Sequence, residues 1–285
     1  MKQMPQAYTF GINVVGSPEC HPVTDQLRMI RAVGFDAFFT HWNPQKTAEW
    51  AGTGAKNGLS YYSIHAPCHH TPLLWLSGTD GDEALKPLLD CVTDCARYGI
   101  PVMVIHPSIG YAPLQDPQYG LARYARLMEH AERLGVVIGF ENLETEAYLA
   151  AVMQSFWHSP ACGFCFDTGH ELCHNFGRDM MALYGEKLCL THINDNHGRW
   201  APEGEPALWI HNDMHLPPGD GLVDWAHVME RIDSSPYKGP LMCEMKLKQV
   251  PGRTDHDAYR AMPLADFYAL VMARVKRVAS KTLKP

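Results

Sequence analysis

No run of this chain approaches the roughly 18 consecutive apolar residues that a membrane-spanning helix needs. The opening MKQMPQAYTFG also lacks an apolar signal core, so a soluble, cytoplasmic protein with no membrane partner is expected. Positive charge is in deficit: 24 Lys and Arg stand against 31 Asp and Glu, a net charge of −7. That balance gives no global attraction to phosphate backbones, and nucleic acid is disfavoured as a partner. No Ser/Gly-rich, Pro-rich or charge-block segment marks a linker, so the 285 residues are read as one domain without a boundary. The first turn, Val15-Gly16-Ser17-Pro18, has no G-x-G-x-x-G, which removes the main signature of a dinucleotide-binding open sheet. A disulfide framework is not expected either, because nine cysteines, an odd count in a chain of this length, fit reduced thiols better. Cys162 and Cys165 form a C-x-x-C pair, but inside an apolar strand their spacing places them on opposite faces. Cys91 and Cys95 lie one helical turn apart beside Leu88 and Leu89, as packing residues would.

What the chain does have is a regular alternation of strand-like and helix-like segments, the pattern of a parallel sheet wrapped by helices. Eight strands are expected, near residues 9–15, 37–41, 61–65, 102–106, 136–141, 163–167, 188–192 and 241–244. Helical patterns follow near 25–33, 46–57, 83–98, 119–134, 147–158, 178–184, 225–232 and 263–280. Gly34, Gly58, Gly99 and Gly135 stand where four helices should stop. Eight βα units close more readily into a TIM (β/α)8 barrel than into an open sheet, and the length suits such a barrel with insertions. Two connections are long, 67–82 after the third strand and 194–224 after the seventh. Loops of that length on the catalytic end of a barrel commonly wall a substrate site.

Six strand ends are singled out as able to bind a divalent cation: His65, His106, Glu141, Asp167, His192 and Glu244. In Val137, Gly139, Glu141 and in Gly163, Cys165, Asp167, the carboxylate shares a face with small or apolar residues. Glu141 and Asp167 should therefore point from neighbouring strands toward the barrel axis, with His192 and Glu244 at the ends of the next two. Two glutamates, an aspartate and an imidazole make a hard-to-borderline donor set suited to manganese, zinc or magnesium rather than copper. His65, His106, His170, Asp213 and His215 are further candidates. Without a cation such carboxylates would need partners in an internal ion-pair network, for which Lys246 or Arg199 is a candidate. Lys246, two residues past Glu244 on the same expected strand face, is a candidate for a substrate oxygen. Trp42, Trp75, Trp200 and Trp209 are candidates for pocket walls or for packing under loops. His69, His70, His174, His197 and His211 receive no role.

At these residues the chain resembles the xylose isomerase-like barrel superfamily, which includes sugar isomerases and epimerases and the type IV apurinic endonucleases. The resemblance runs from Ile64-His65-Ala-Pro67 through Ile105-His106-Pro107, Phe140-Glu141-Asn142, Phe166-Asp167-Thr-Gly-His170, His192-Ile-Asn-Asp195, Asp213-Met-His215 and Pro218-Gly219-Asp220-Gly221 to Cys243-Glu244. It implies for the epimerase branch one divalent ion on Glu141, Asp167, His192 and Glu244, with the two glutamates also moving protons. For the endonuclease branch it implies that His65, His106, His170, Asp213 and His215 join those four to hold three zinc ions. The sequence departs from the nuclease pattern after His192: Asn194-Asp195 leads into Asn196-His197, where that pattern has a serine and a lysine. The loops after the first two strands offer one lysine and no arginine, a poor grip on a duplex.

The expectation is thus a metal-dependent isomerase or epimerase with a small carbohydrate substrate and a zinc or manganese cofactor, possession of more than one ion being left open. Phosphodiester hydrolysis at abasic DNA and a non-catalytic sugar- or metal-binding barrel are the alternatives, and a homo-oligomer is left open.

Overall fold

Side chains that alternate along each strand sort into two layers, and this sorting builds the molecule. The computed structural model describes residues 8–16, 19–199, 212–250 and 252–283. Its strands are β1 (Phe10–Asn13), β2 (Ala37–His41), β3 (Ser60–His65), β4 (Val102–Ile105), β5 (Val137–Glu141), β6 (Cys162–Asp167), β7 (Leu188–His192) and β8 (Leu241–Cys243). Each hydrogen-bonds in parallel to its sequence neighbour, and β8 lies beside β1. Ile193 closes the ring, donating its N–H to Met242 O at 2.8 Å and accepting from Glu244 N at 3.2 Å. The eight strands therefore form a nearly closed TIM barrel, as the alternation predicts.

Ala37, Phe39, Val102, Val104, Cys165, Leu190 and Met242 fill the barrel interior. The intervening residues, among them Phe38, Met103, Ile138, Phe140, Phe164 and Phe166, pack outward under the helices. Cys165 thus faces in while Cys162 faces out, and every described cysteine is a free thiol. Gly163 is required by this packing, because a Cβ there would collide with Cys189 and Val137.

The α-helices whose bounds lie among the described residues are α1 (Val23–Ala32), α2 (Thr47–Lys56), α3 (Asp80–Arg97), α4 (Gln118–Leu134), α5 (Glu146–Phe156), α6 (Thr168–Cys173), α7 (Met180–Tyr184), α8 (Trp225–Ser234), α9 (Asp257–Ala261) and α10 (Leu264–Ala279). All eight helical patterns of the sequence are present with small shifts at their ends. Among the described residues, no helix is long and apolar enough to cross a membrane.

Four elements were not legible in the hydrophobic pattern: α6, α9 and two 3-10 helices, over Cys68–Trp75 and Gly185–Lys187. They are too short to show a period, and α6 exists because Asp167 caps it, accepting His170 N–H at 2.7 Å. Two strands also end one residue early. β8 stops at Cys243 because the next backbone groups turn to a side chain: Asn13 receives Met245 N–H and donates to Met245 O, both at 2.8 Å. Glu244 and Lys246 therefore do not share a strand face. β4 stops at Ile105, and His106 is the first residue beyond it.

Candidate metal centre

The inward layer continues past the apolar plug, and the next inward position on successive strands carries a polar tip. Glu141, Asp167, His192 and Glu244 are 0%, 0%, 0% and 4% exposed, and one donor atom from each lies within 4.8 Å of the others. His192 Nδ1 stands 3.0 Å from both Glu141 Oε1 and Glu244 Oε2. The other Glu141 oxygen, Oε2, faces His106 Nε2 at 3.2 Å and His65 Nε2 at 3.6 Å. On the opposite flank, His170 Nε2 and His215 Nδ1 approach Asp213 Oδ1 at 3.1 and 2.6 Å, and His215 Nε2 lies 3.0 Å from Glu244. All nine candidate metal residues of the sequence are therefore gathered into one mouth, with Glu141 and Glu244 joining the central four to the flanks.

Lys246 and Arg199 are not ion-pair partners of the central four, Glu141, Asp167, His192 and Glu244. The Lys246 ammonium is 2.7 Å from Asp213 Oδ2, and Arg199 lies over the Phe176 ring. Among the described residues, the charged partners of Glu141, Asp167 and Glu244 are imidazoles. Two like charges about 4 Å apart repel by ~4 kcal/mol at an effective dielectric near 20. Three such pairs approach the whole stability of a domain, about 5–15 kcal/mol, so the carboxylates require compensating positive charge.

In the metal-free protein that charge comes from protons. Burial opposes ionisation of Glu141, yet His192 and His106 hold its carboxyl well below the usual range. Glu244 is likewise held down against burial by His192 and His215, and Asp213 by His215 and Lys246. Asp167 is raised, burial outweighing His170 and His215. The imidazoles respond in the complementary sense: His170 is driven up to about 10 by Asp167 and Asp213 against the cost of burial, and His192 and His215 are raised too. His106 is lowered because burial prevails. A divalent cation supplies the same positive charge without those protons, and the donor chemistry fits one.

Asparagines hold the donors in place. Asn142 spans the strand ends, accepting Asp167 N–H at 2.8 Å and donating to Asp167 O at 2.9 Å. Asn142 O also receives the His170 Nδ1–H at 3.0 Å, which turns Nε2 toward Asp213. Asn194 donates to Asp167 Oδ2 at 2.8 Å. It reaches that oxygen because residue 169 is glycine, where any Cβ would collide with Asn194 Oδ1. Gly169→Ala is expected to displace Asn194 and weaken metal affinity by about 10–100-fold with little change in melting temperature, as read by competition with a chromophoric chelator. Backbone conformation contributes at His215, which sits at φ 52° in the left-handed region.

A cavity of about 690 Å³ opens over the cluster, lined by His65, His106, His170, Asp213, His215 and Glu244 together with Trp42 and Lys246. Its size suits a small molecule. The Trp42 indole donates to Asp94 at 2.9 Å, which fixes its ring at the wall. Trp75 is not part of the lining: it is buried, donates to Pro107 O at 2.7 Å and packs on Tyr124 and Tyr148. Trp200, Trp209 and His211 lie outside the described residues. His197 pairs with Asp255 at 2.9 Å, away from the cluster.

Sequence reasoning passed over His41, Cys68 and Glu144 and left His69 and His174 without a role, and all five line the cavity. His41 ends β2 and carried the same strand-end signal as His65. Cys68 receives His106 N–H at 3.3 Å and so helps seat that imidazole. Asp195 proves structural: it accepts N–H groups of Gly219 and Val223 at 2.8 and 3.1 Å, pinning the Pro218–Gly221 turn.

Residues 27–263 match the family described as xylose isomerase-like TIM barrel. The uncharacterized protein y4fM of Sinorhizobium fredii is 26% identical over 269 residues, covering 78% of this chain and 80% of that one. Among solved structures, D-psicose 3-epimerase with D-tagatose from Clostridium cellulolyticum H10 has a TM-score of 0.71 at 15% identity, covering 97% of this chain and 100% of that one. The xylose isomerase domain protein from Planctomyces limnophilus has a TM-score of 0.69 at 16% identity, with 96% and 100% covered. At those identities the likeness establishes the fold. Taken with the family match over most of its length, the chain belongs to the xylose isomerase-like TIM barrel family.

Proposed function

We propose that the protein is a divalent-metal-dependent isomerase or epimerase acting on a small keto sugar or sugar derivative. The observation that carries this reading is the buried set Glu141, Asp167, His192 and Glu244 beneath a cavity of about 690 Å³. The epimerase among the structural neighbours supports it. Asp167 and His192 would hold the ion together with the two glutamates, which makes zinc or manganese suitable. When bound, the ion would polarise adjacent carbonyl and hydroxyl oxygens and stabilise the negative charge that develops on proton loss.

The chain's own residues do the rest. Glu141 and Glu244 approach His192 Nδ1 with one oxygen each, and one glutamate removes the carbon-bound proton while the other returns one. Both are held ionised by imidazoles, as a base must be. Trp42 walls the pocket and limits water, while Lys246 places an ammonium at its edge for a substrate oxygen. Exchange of a carbon-bound hydrogen with deuterated water, tested across a panel of keto sugars, is the direct check. Absence of exchange for every sugar in a metal-loaded sample would favour a barrel that binds without turnover.

The second reading is metal-assisted phosphodiester cleavage, favoured by His65 and His106 beside Glu141 Oε2 and by the His170, Asp213, His215 group on the other flank. Against it stands the net charge of −7. A duplex carrying one abasic site is expected to stay intact with zinc-loaded protein, and metal-dependent nicking on a gel would reverse the order of the two readings.

A further inference from the structure

One imidazole at the mouth has no role in the chemistry above. His174 lies four residues after His170 and directly follows α6, so both rings project from one side of that turn, with centroids 5.1 Å apart. The side chain is 1% exposed and lines the cavity, and its Nε2 has no hydrogen-bond partner. A buried polar atom left unpaired costs about 1–3 kcal/mol, so its presence beside the cavity calls for a ligand.

We propose that His174 Nε2 is a third protein donor to a divalent ion held by His170 Nε2 and Asp213 Oδ1, a two-histidine, one-carboxylate position separate from that of Glu141, Asp167, His192 and Glu244. The resemblance to endonucleases already points to His170, Asp213 and His215 as metal residues; the new element is His174. Donor atoms of His170, His174 and Asp213 lie within 4.8 Å of one another. Metal–nitrogen bonds of about 2.0–2.1 Å would span that separation after small side-chain rotations.

Each of the three donors is oriented from behind, as ligands to a metal are. His170 gives its Nδ1–H to Asn142 O at 3.0 Å, leaving Nε2 free. His174 Nδ1 stands 3.3 Å from Tyr111 Oη, and donation from Nδ1 to that oxygen leaves a lone pair on Nε2. Asp213 Oδ2 is held by Lys246 at 2.7 Å, which leaves Oδ1 facing His170. His215 also touches Asp213 Oδ1, but its other nitrogen faces Glu244 and Asp167, so it is placed to serve the central position. The imidazole-rich set favours zinc over magnesium.

The inference rests on the metal-dependent reading. Wild-type and His174→Ala proteins, stripped with chelator, would be titrated with zinc, and bound ions per chain counted by mass spectrometry of the metal. The wild type is expected to bind at least two ions. In His174→Ala the weaker class should lose affinity by about tenfold or more while the tighter class is unchanged. Superimposable isotherms overturn the role of His174 alone, even if KM rises because the ring binds substrate instead. A wild type that binds no zinc overturns the metal-dependent reading along with it. Should the variant fail to fold, anomalous scattering from zinc-loaded wild-type crystals decides: a peak bonded to His174 Nε2 supports the assignment, and a peak between His170 and Asp213 that leaves His174 free overturns it.

Discussion

Glu244→Gln is expected to lose turnover by about 10²–10⁴-fold. Glutamine matches the volume of glutamate but cannot accept the substrate proton and carries no negative charge. Glu244 Oε2 lies 3.0 Å from both His192 Nδ1 and His215 Nε2, and an amide oxygen can still accept from one of them. The packing cost is therefore small, because Glu244 projects into the cavity rather than into the apolar plug. Exchange of the substrate's carbon-bound hydrogen with solvent deuterium is the readout, paired with metal content so that ligand loss and loss of the base are told apart. Wild-type-like exchange rates in a metal-replete variant would remove Glu244 from the proton relay.

Removal of the divalent ion is expected to abolish turnover, with zinc or manganese restoring it, and the affinity should depend steeply on pH. In the metal-free protein His170 is raised to about 10, and His192 and His215 are raised as well. At pH 7 the cluster therefore holds protons that a metal must expel, so affinity climbs as pH rises. Each proton released contributes about a tenfold gain per pH unit. Calorimetry in buffers of different ionisation heat counts those protons, and a binding heat independent of the buffer would contradict the scheme. The same groups stabilise the metal-free fold only within a window. The contribution of His170 is complete below its unfolded pKa near 6.5 and is lost as pH rises through about 10. Those of Glu141, Glu244 and Asp213, whose pKa values are depressed, are present above the unfolded carboxylate range and lost as pH falls through their lowered values.

The barrel was readable because its signals are local and periodic. Apolar alternation over Val137–Glu141 and Cys162–Asp167 needs only a strand to turn one face inward. Gly34, Gly58, Gly99 and Gly135 do stop helices, each with positive φ. The 3-10 helix at Cys68–Trp75 and the short α6 gave no such signal, since one turn is held by a cap or by tertiary packing rather than by a repeating apolar face. The shared strand face expected for Glu244 and Lys246 failed for a similar reason: β8 ends where the Asn13 side chain, distant in sequence, takes the Met245 backbone groups.

By itself the sequence determined the eightfold βα order, the inward placement of Glu141 and Asp167, and the chemical type of the donors, because these follow from side-chain alternation and residue identity. Only the tertiary structure decided which donors meet: that Glu141 reaches toward His65 and His106 with one oxygen and toward His192 with the other, that Lys246 is held by Asp213, and that His174 lines the cavity and keeps one nitrogen unpaired. Those relations depend on the curvature of the barrel, which brings His65 within 3.6 Å of Glu141, 76 positions away, and nothing in a local pattern encodes that distance.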